Sequence, residues 1–180
     1  SVSDVTPYNI ALRYYMVGTV SFGIIMQPFW TAHTDAYAKN DHLWIVNSIK
    51  KLLKIWFLFL CGMILMTVFA DIFYKFWVGE NIQVPFLVSV FMAIYVSLLS
   101  FASIFVMFIN GVGKIKLQLV SSLIGALIFV PTAIYFAKNT DLHISGIIVA
   151  TIIANFYGPI LAPIQYYKIV NGTAEGIWNK

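Results

Sequence analysis

Five stretches of this chain, residues 8–31, 52–72, 85–109, 115–137 and 144–166, are each long and apolar enough to cross a lipid bilayer. A helix rising about 1.5 Å per residue needs roughly 20 residues to cover a hydrocarbon core of about 30 Å. Lipid offers no hydrogen bonds to an exposed backbone, so runs of this length are expected to be helices, whereas strands of a membrane barrel would be nearer ten alternating residues. The expected fold class is an all-α membrane protein with these five transmembrane helices joined by short polar connections. Composition agrees, because 61% of the 180 residues are hydrophobic and 10% are charged, where soluble domains carry about 25% charged residues. So few charges cannot cover a water-facing surface.

The formal charge of +4 would suit a nucleic acid partner if it were spread over a surface, but the basic residues gather in particular connections. That distribution points to membrane orientation instead, since Lys and Arg near span ends are retained in the cytoplasm. Lys39, Lys50, Lys51, Lys54, Lys114, Lys116, Lys168 and Lys180 fall on one side of an alternating path. Lys75 and Lys138 fall on the other, beside Asp71, Glu80 and Asp141. The expected arrangement puts the N-terminal end outside and the C-terminus in the cytoplasm. Trp30, Trp44, Trp77 and Trp178 lie near span ends, where amphipathic rings meet lipid headgroups, and Trp56 lies deeper. Residues 41–54 read as a helix start with Asp41 as N-cap, expected to lie first along the membrane surface. Its Lys50, Lys51 and Lys54 suit an anchor, with a lipid-headgroup sensor as the alternative.

Arg13 is the sole arginine and sits inside the first apolar run. At about 100° per residue, Thr6, Asn9, Arg13, Gln27 and Thr31 share one arc, so Arg13, Asn9 and Gln27 are the candidate substrate-binding residues. The planar guanidinium suits a phosphate or pyrophosphate, and the competing reading is a side chain that snorkels to the outer headgroups. Cys61 is the only cysteine, which excludes an intrachain disulfide. His33, His42 and His143 lack zinc-ligand spacing, and no acidic residue occupies the middle of a span, so neither a metal, a cofactor nor a catalytic role is expected.

Gly111, Gly113 and Lys114 superficially match a phosphate loop, but Ile115 follows where Ser or Thr is needed and both flanks are apolar helices. A helix hairpin is the expected structure there. Asn155, Gly158, Pro159 and Pro163 weaken the last span and predict a kink, serving either as a hinge or as a static packing surface. Gln118, Ser121 and Ser122 are expected to hydrogen-bond between helices. Asn171-Gly172-Thr173 matches a glycosylation sequon but falls on the expected cytoplasmic side. The opening Ser1-Val2-Ser3-Asp4 has neither an initiator Met nor a basic signal-peptide start, so the true N-terminus is expected upstream.

Several stretches carry a family resemblance: Val5-Thr6-Pro7-Tyr8-Asn9-Ile10-Ala11 continuing to Pro28-Phe29-Trp30-Thr31-Ala32 and Asp35-Ala36-Tyr37-Ala38-Lys39, then Asn110-Gly111-Val112-Gly113-Lys114, and Gln165-Tyr166-Tyr167-Lys168. Together with Phe76-Trp77-Val78-Gly79-Glu80 and Pro85, they resemble the bacterial polysaccharide or O-antigen flippases, the Wzx-like branch of the multidrug/oligosaccharidyl-lipid/polysaccharide exporter superfamily. The resemblance implies two lobes of about six helices, with residues 1–180 forming most of the C-terminal lobe and an N-terminal lobe as its missing partner. It also implies that a lipid-linked oligosaccharide is turned across the inner membrane, with Arg13 as the phosphate-facing candidate. The alternatives are a drug/cation antiporter of the same superfamily and a non-transporting scaffold of a polysaccharide-assembly complex. A membrane enzyme would normally need clustered acids or a large loop domain.

Overall fold

The computed structural model describes residues 2–80 and 82–180, with backbone alone for residues 2–5. Helix α1 (Val2–Ala38) is a single helix of 37 residues that continues through Pro7 and Pro28, about 55 Å long at the standard rise. It is followed by α2 (His42–Val68), the short α3 (Ala70–Val78), α4 (Phe86–Gly111) and α5 (Lys116–Asn139). The last apolar stretch is divided into α6 (Ser145–Ala154), a π-helical turn (Tyr157–Leu161) and α7 (Ala162–Val170), with a closing 3-10 turn (Gly176–Asn179).

Among the described residues, α2, α4 and α5 are long and apolar enough to cross a membrane, and the two halves of the last stretch, bent by 45°, would together supply a fourth span. These helices are the build of a multi-pass membrane protein. The difference from the expected five lies in α1, whose run is diluted by Asn9, Arg13, Thr19, Ser21 and Gln27.

Local sequence explains the element ends. Asp41 accepts the Trp44 backbone N–H at 3.0 Å and caps α2, as an Asp at this position should. The segment 41–54 does not form a separate surface element, because α2 runs unbroken from His42. It contains neither Gly nor Pro before Gly62, and Ile45, Ile49 and Leu52 are buried in the core, which holds its first turns against the bundle. Between α4 and α5 the expected hairpin forms, with Gly113 at φ +73° and the Lys114 N–H donating to the Ile109 carbonyl at 3.2 Å. Glycine takes that left-handed conformation without a Cβ clash.

Helix α4 is the hub and packs against α1, α2, α6, the π-helical turn and α7. Half of its most apolar window is buried, against 11% for α2 and for α5. Helix α5 is held mainly by α6, and Gly125 makes that approach possible, since a Cβ there would stand 2.2 Å from the Ala154 carbonyl oxygen. Small residues at such crossings let backbones meet where lipid supplies no hydrophobic drive for association. The opposite face of α5 presents Leu119, Leu123 and Leu127 outward, as a lipid-facing stripe would.

The core has two parts. One gathers Phe22, Met26, Ile45, Leu52, Phe108 and Ile109; the other gathers Tyr14, Tyr15, Met63, Tyr74, Val88 and Met92. The α1–α2 connection, the α4–α5 turn and the tail meet beyond the first part, where Tyr37, His42, Lys114 and Asn179 line one cavity. This is the lysine-rich end of the bundle.

Candidate functional site

The substrate-binding candidates from sequence all lie on one side of α1. Asn9, Arg13 and Gln27 are exposed, whereas Ala11, Tyr15, Phe22 and Met26 on the other side are buried. Asn9 and Arg13 are one turn apart, but Gln27 lies about 21 Å further along the axis. Between them the same arc carries Met16, Val20 and Ile24, which are 48%, 58% and 67% exposed. The polar arc is therefore two short polar ends separated by an apolar middle. Asn9 and Arg13 can act together on one group; Gln27 and Thr31 belong to the other end.

A larger concavity of about 560 Å³ lies between α4, α5 and the broken last helix. Its polar lining is Tyr95, Ser103, Gln118, Ser121, Ser122, Asn155 and Tyr157. Of these, Gln118, Ser121 and Ser122 are the residues expected to tie helices together, and the geometry instead lines a cleft with them. Gln118 Oε1 is buried there with no hydrogen-bond partner. At such a site an unmet acceptor costs about 1–3 kcal/mol, so it marks a position where a polar group from outside the fold would be stabilised.

The predicted kink forms the wall of this cleft. Gly158 N–H donates to the Asn155 carbonyl at 3.3 Å and Ile160 N–H to the Phe156 carbonyl at 3.2 Å, a mixed register around Pro159, which has no N–H to give. Asn155 turns its Nδ2 back to the Thr151 carbonyl at 2.8 Å, which its backbone N–H also reaches at 3.1 Å. Irregular backbone at membrane depth is tolerated where it lines a cavity.

From the cleft a hydrogen-bonded path leads to the lysine-rich end. The Tyr157 hydroxyl donates to Gln165 Oε1 at 2.8 Å, and Gln165 Nε2 donates to the carbonyls of Lys114 at 2.9 Å and Trp178 at 3.1 Å. Gln165 is fully buried. This one amide joins the break, the α4–α5 turn and the tail. Gln165 stands in one of the stretches that carry the family resemblance, which implies no role for it; its signal in the sequence is a lone Gln on a mostly apolar helix, where burial demands several partners.

His33 is buried two residues past the first apolar stretch, with Nε2 and the Ser48 hydroxyl 2.8 Å apart. Burial among the rings of Phe29, Trp44 and Phe108 pushes its pKa down from 6.5 to about 4. Among the described residues no three His, Cys, Asp or Glu converge in a metal-binding group.

The class defined by these features is a multi-pass, all-helical membrane protein with a discontinuous last helix. No family model matches the chain, and comparison with curated proteins and with solved structures found no match.

Proposed function

We propose that this chain is most of the C-terminal lobe of a two-lobed exporter that turns a lipid-linked oligosaccharide across the bacterial inner membrane by alternating access. In this reading α1 is a fifth span, the missing N-terminal lobe covers its outer face, and the lysine-rich end is cytoplasmic. The observation that carries the reading is the pair Asn9 and Arg13 on the exposed side of α1. A guanidinium on a bilayer-length helix needs water, headgroups or an anion beside it, and its planar fork fits a pyrophosphate. The sequence resemblance supplies the substrate class. The broken helix and its polar cleft support a protein that changes shape during its cycle.

The test is translocation of a lipid-linked oligosaccharide by the complete protein in proteoliposomes. Arg13→Ala is expected to slow transport at least about tenfold and Arg13→Lys to retain part of it, because a charge-assisted bidentate contact is worth roughly 1.5–3 kcal/mol. Equal transport by wild type and Arg13→Ala would assign Arg13 to snorkelling. A proton- or sodium-driven drug flux without lipid translocation would establish the antiporter instead, and no flux of either kind would leave the scaffold.

A further inference from the structure

We propose that the cavity at the lysine-rich end is a binding site for a phosphate group, with Lys114 as its cation. The cavity holds about 480 Å³ and is assembled from parts far apart in sequence: Tyr37 in the last turn of α1 and Asn40 after it, His42 opening α2, Lys114 from the α4–α5 turn, Asn171 after α7 and Asn179 from the tail.

The charge inventory points to an anion. Lys114 is the cationic side chain of the lining, which holds no carboxylate. Of the acids near it, Asp35 pairs with Lys39 Nζ at 2.7 Å and Asp41 accepts the Trp44 N–H at 3.0 Å, while Glu175 is exposed in the tail and outside the lining. Lys114 Nζ instead donates to two neutral oxygens, the Tyr37 hydroxyl at 2.8 Å and Asn179 Oδ1. Among the described residues no carboxylate lies within salt-bridge distance of it.

Lys39 and Lys75, by contrast, are well exposed and paired with Asp35 and Asp71. A half-buried ammonium held by neutral acceptors has gained no counter-charge, so an anion beside it would be stabilised.

The cation is also placed in advance. The Lys114 carbonyl is held by Gln165 Nε2 at 2.9 Å and its N–H by the Ile109 carbonyl at 3.2 Å. Fixed donors lose little freedom on binding. Tyr37 and the side-chain amides of Asn40, Asn171 and Asn179 supply further neutral donors, and His42 Nδ1 is buried without a partner. None of this requires a phosphate loop, which the hairpin geometry excludes. A phosphate can reach the cavity as the headgroup of an anionic lipid or as a free phosphate ester.

Two arms separate these sources. Inorganic phosphate is titrated calorimetrically into the full chain in phosphatidylcholine nanodiscs, and retention of phosphatidylglycerol from mixed nanodiscs is read by native mass spectrometry. One-to-one binding is expected in at least one arm, and the responding arm identifies the source. Lys114→Met should weaken it at least about tenfold and Lys114→Arg should restore most of it, because the contact is charge-assisted. A Lys50, Lys51 and Lys54 to Gln triple variant should bind as wild type.

No stoichiometric binding in either arm, an unaffected Lys114→Met, or an equal loss in the triple variant overturns the proposal. Should Lys114→Met fail to fold, wild-type protein decides by itself. The bound probe should slow acetylation of Lys114 by acetic anhydride, read by peptide mass spectrometry, and an unchanged rate overturns the site.

Discussion

Both ends of the bundle are held by polar side chains, and they differ in whether the charge among them is balanced. At the end away from the lysines, the Tyr14 hydroxyl donates to the Met66 carbonyl at 3.0 Å, Tyr15 pairs with Thr67 at 2.8 Å and Tyr74 with Ser89 at 3.0 Å. The rings of Tyr15 and Tyr74 meet Tyr14 edge-on, with centroids 5.1 and 5.3 Å away. Every one of those hydroxyls finds a neutral partner, so the cluster needs nothing from outside. At the lysine-rich end the network also closes geometrically, around Gln165, but it contains an ammonium with no acid. Hydrogen bonding can be satisfied while charge is not, and the unbalanced charge is what invites an anion.

That contrast can be broken most severely at Gln165. Gln165→Leu leaves the Lys114 and Trp178 carbonyls and the Tyr157 hydroxyl without their shared partner, a loss of roughly 3 kcal/mol or more for three buried groups. The melting temperature in detergent should fall, and amide hydrogen exchange should rise in the tail and around the π-helical turn together. Exchange confined to the tail would show that the break is held independently.

A smaller effect should come from pH. His33 has a folded pKa of about 4, below the 6.5 of an unfolded histidine. Between pH 6.5 and 4 the unfolded chain takes up a proton that the folded chain refuses, so stability is full above the window and falls as pH drops through it. Melting curves across that range should show the loss in wild type and a flatter response in His33→Gln. The Trp44 ring, 5.7 Å from His33, provides a fluorescence reporter of the same proton.

The smallest effect belongs to the self-sufficient end. Tyr74→Phe removes one hydroxyl from Ser89 and should cost about 1 kcal/mol, with phosphate binding at the other end unchanged. A shift in that binding would mean that the two ends are coupled and the comparison too simple.

Much of this architecture was legible in the chain. Gly113 and the polar residues around it announced the hairpin, Asp41 its N-cap, and Gly158 with Pro159 the break in the last helix, because each of these acts on its own backbone within a turn or two. The candidate site was only half legible. Arg13 and Asn9 share a face by helical spacing alone, but the same spacing admitted Gln27, and only axial distance separates it from them. Where residues 41–54 run was a matter of tertiary contact, since the burial of Ile45, Ile49 and Leu52 keeps α2 continuous.

Sequence by itself determined that this is a helical membrane protein, where the α4–α5 hairpin turns and where the last helix breaks, because apolar length and backbone chemistry are local properties; the break between α2 and α3 at Phe69, inside the expected span 52–72, came only with the structure. Tertiary structure alone decided that Gln118 faces a cleft, that Gln165 joins three segments, and that Lys114 meets Tyr37 and Asn179 rather than an acid. Those outcomes depend on which distant segments share a volume, and no periodicity along one helix records the electrostatic balance of a cavity built from five.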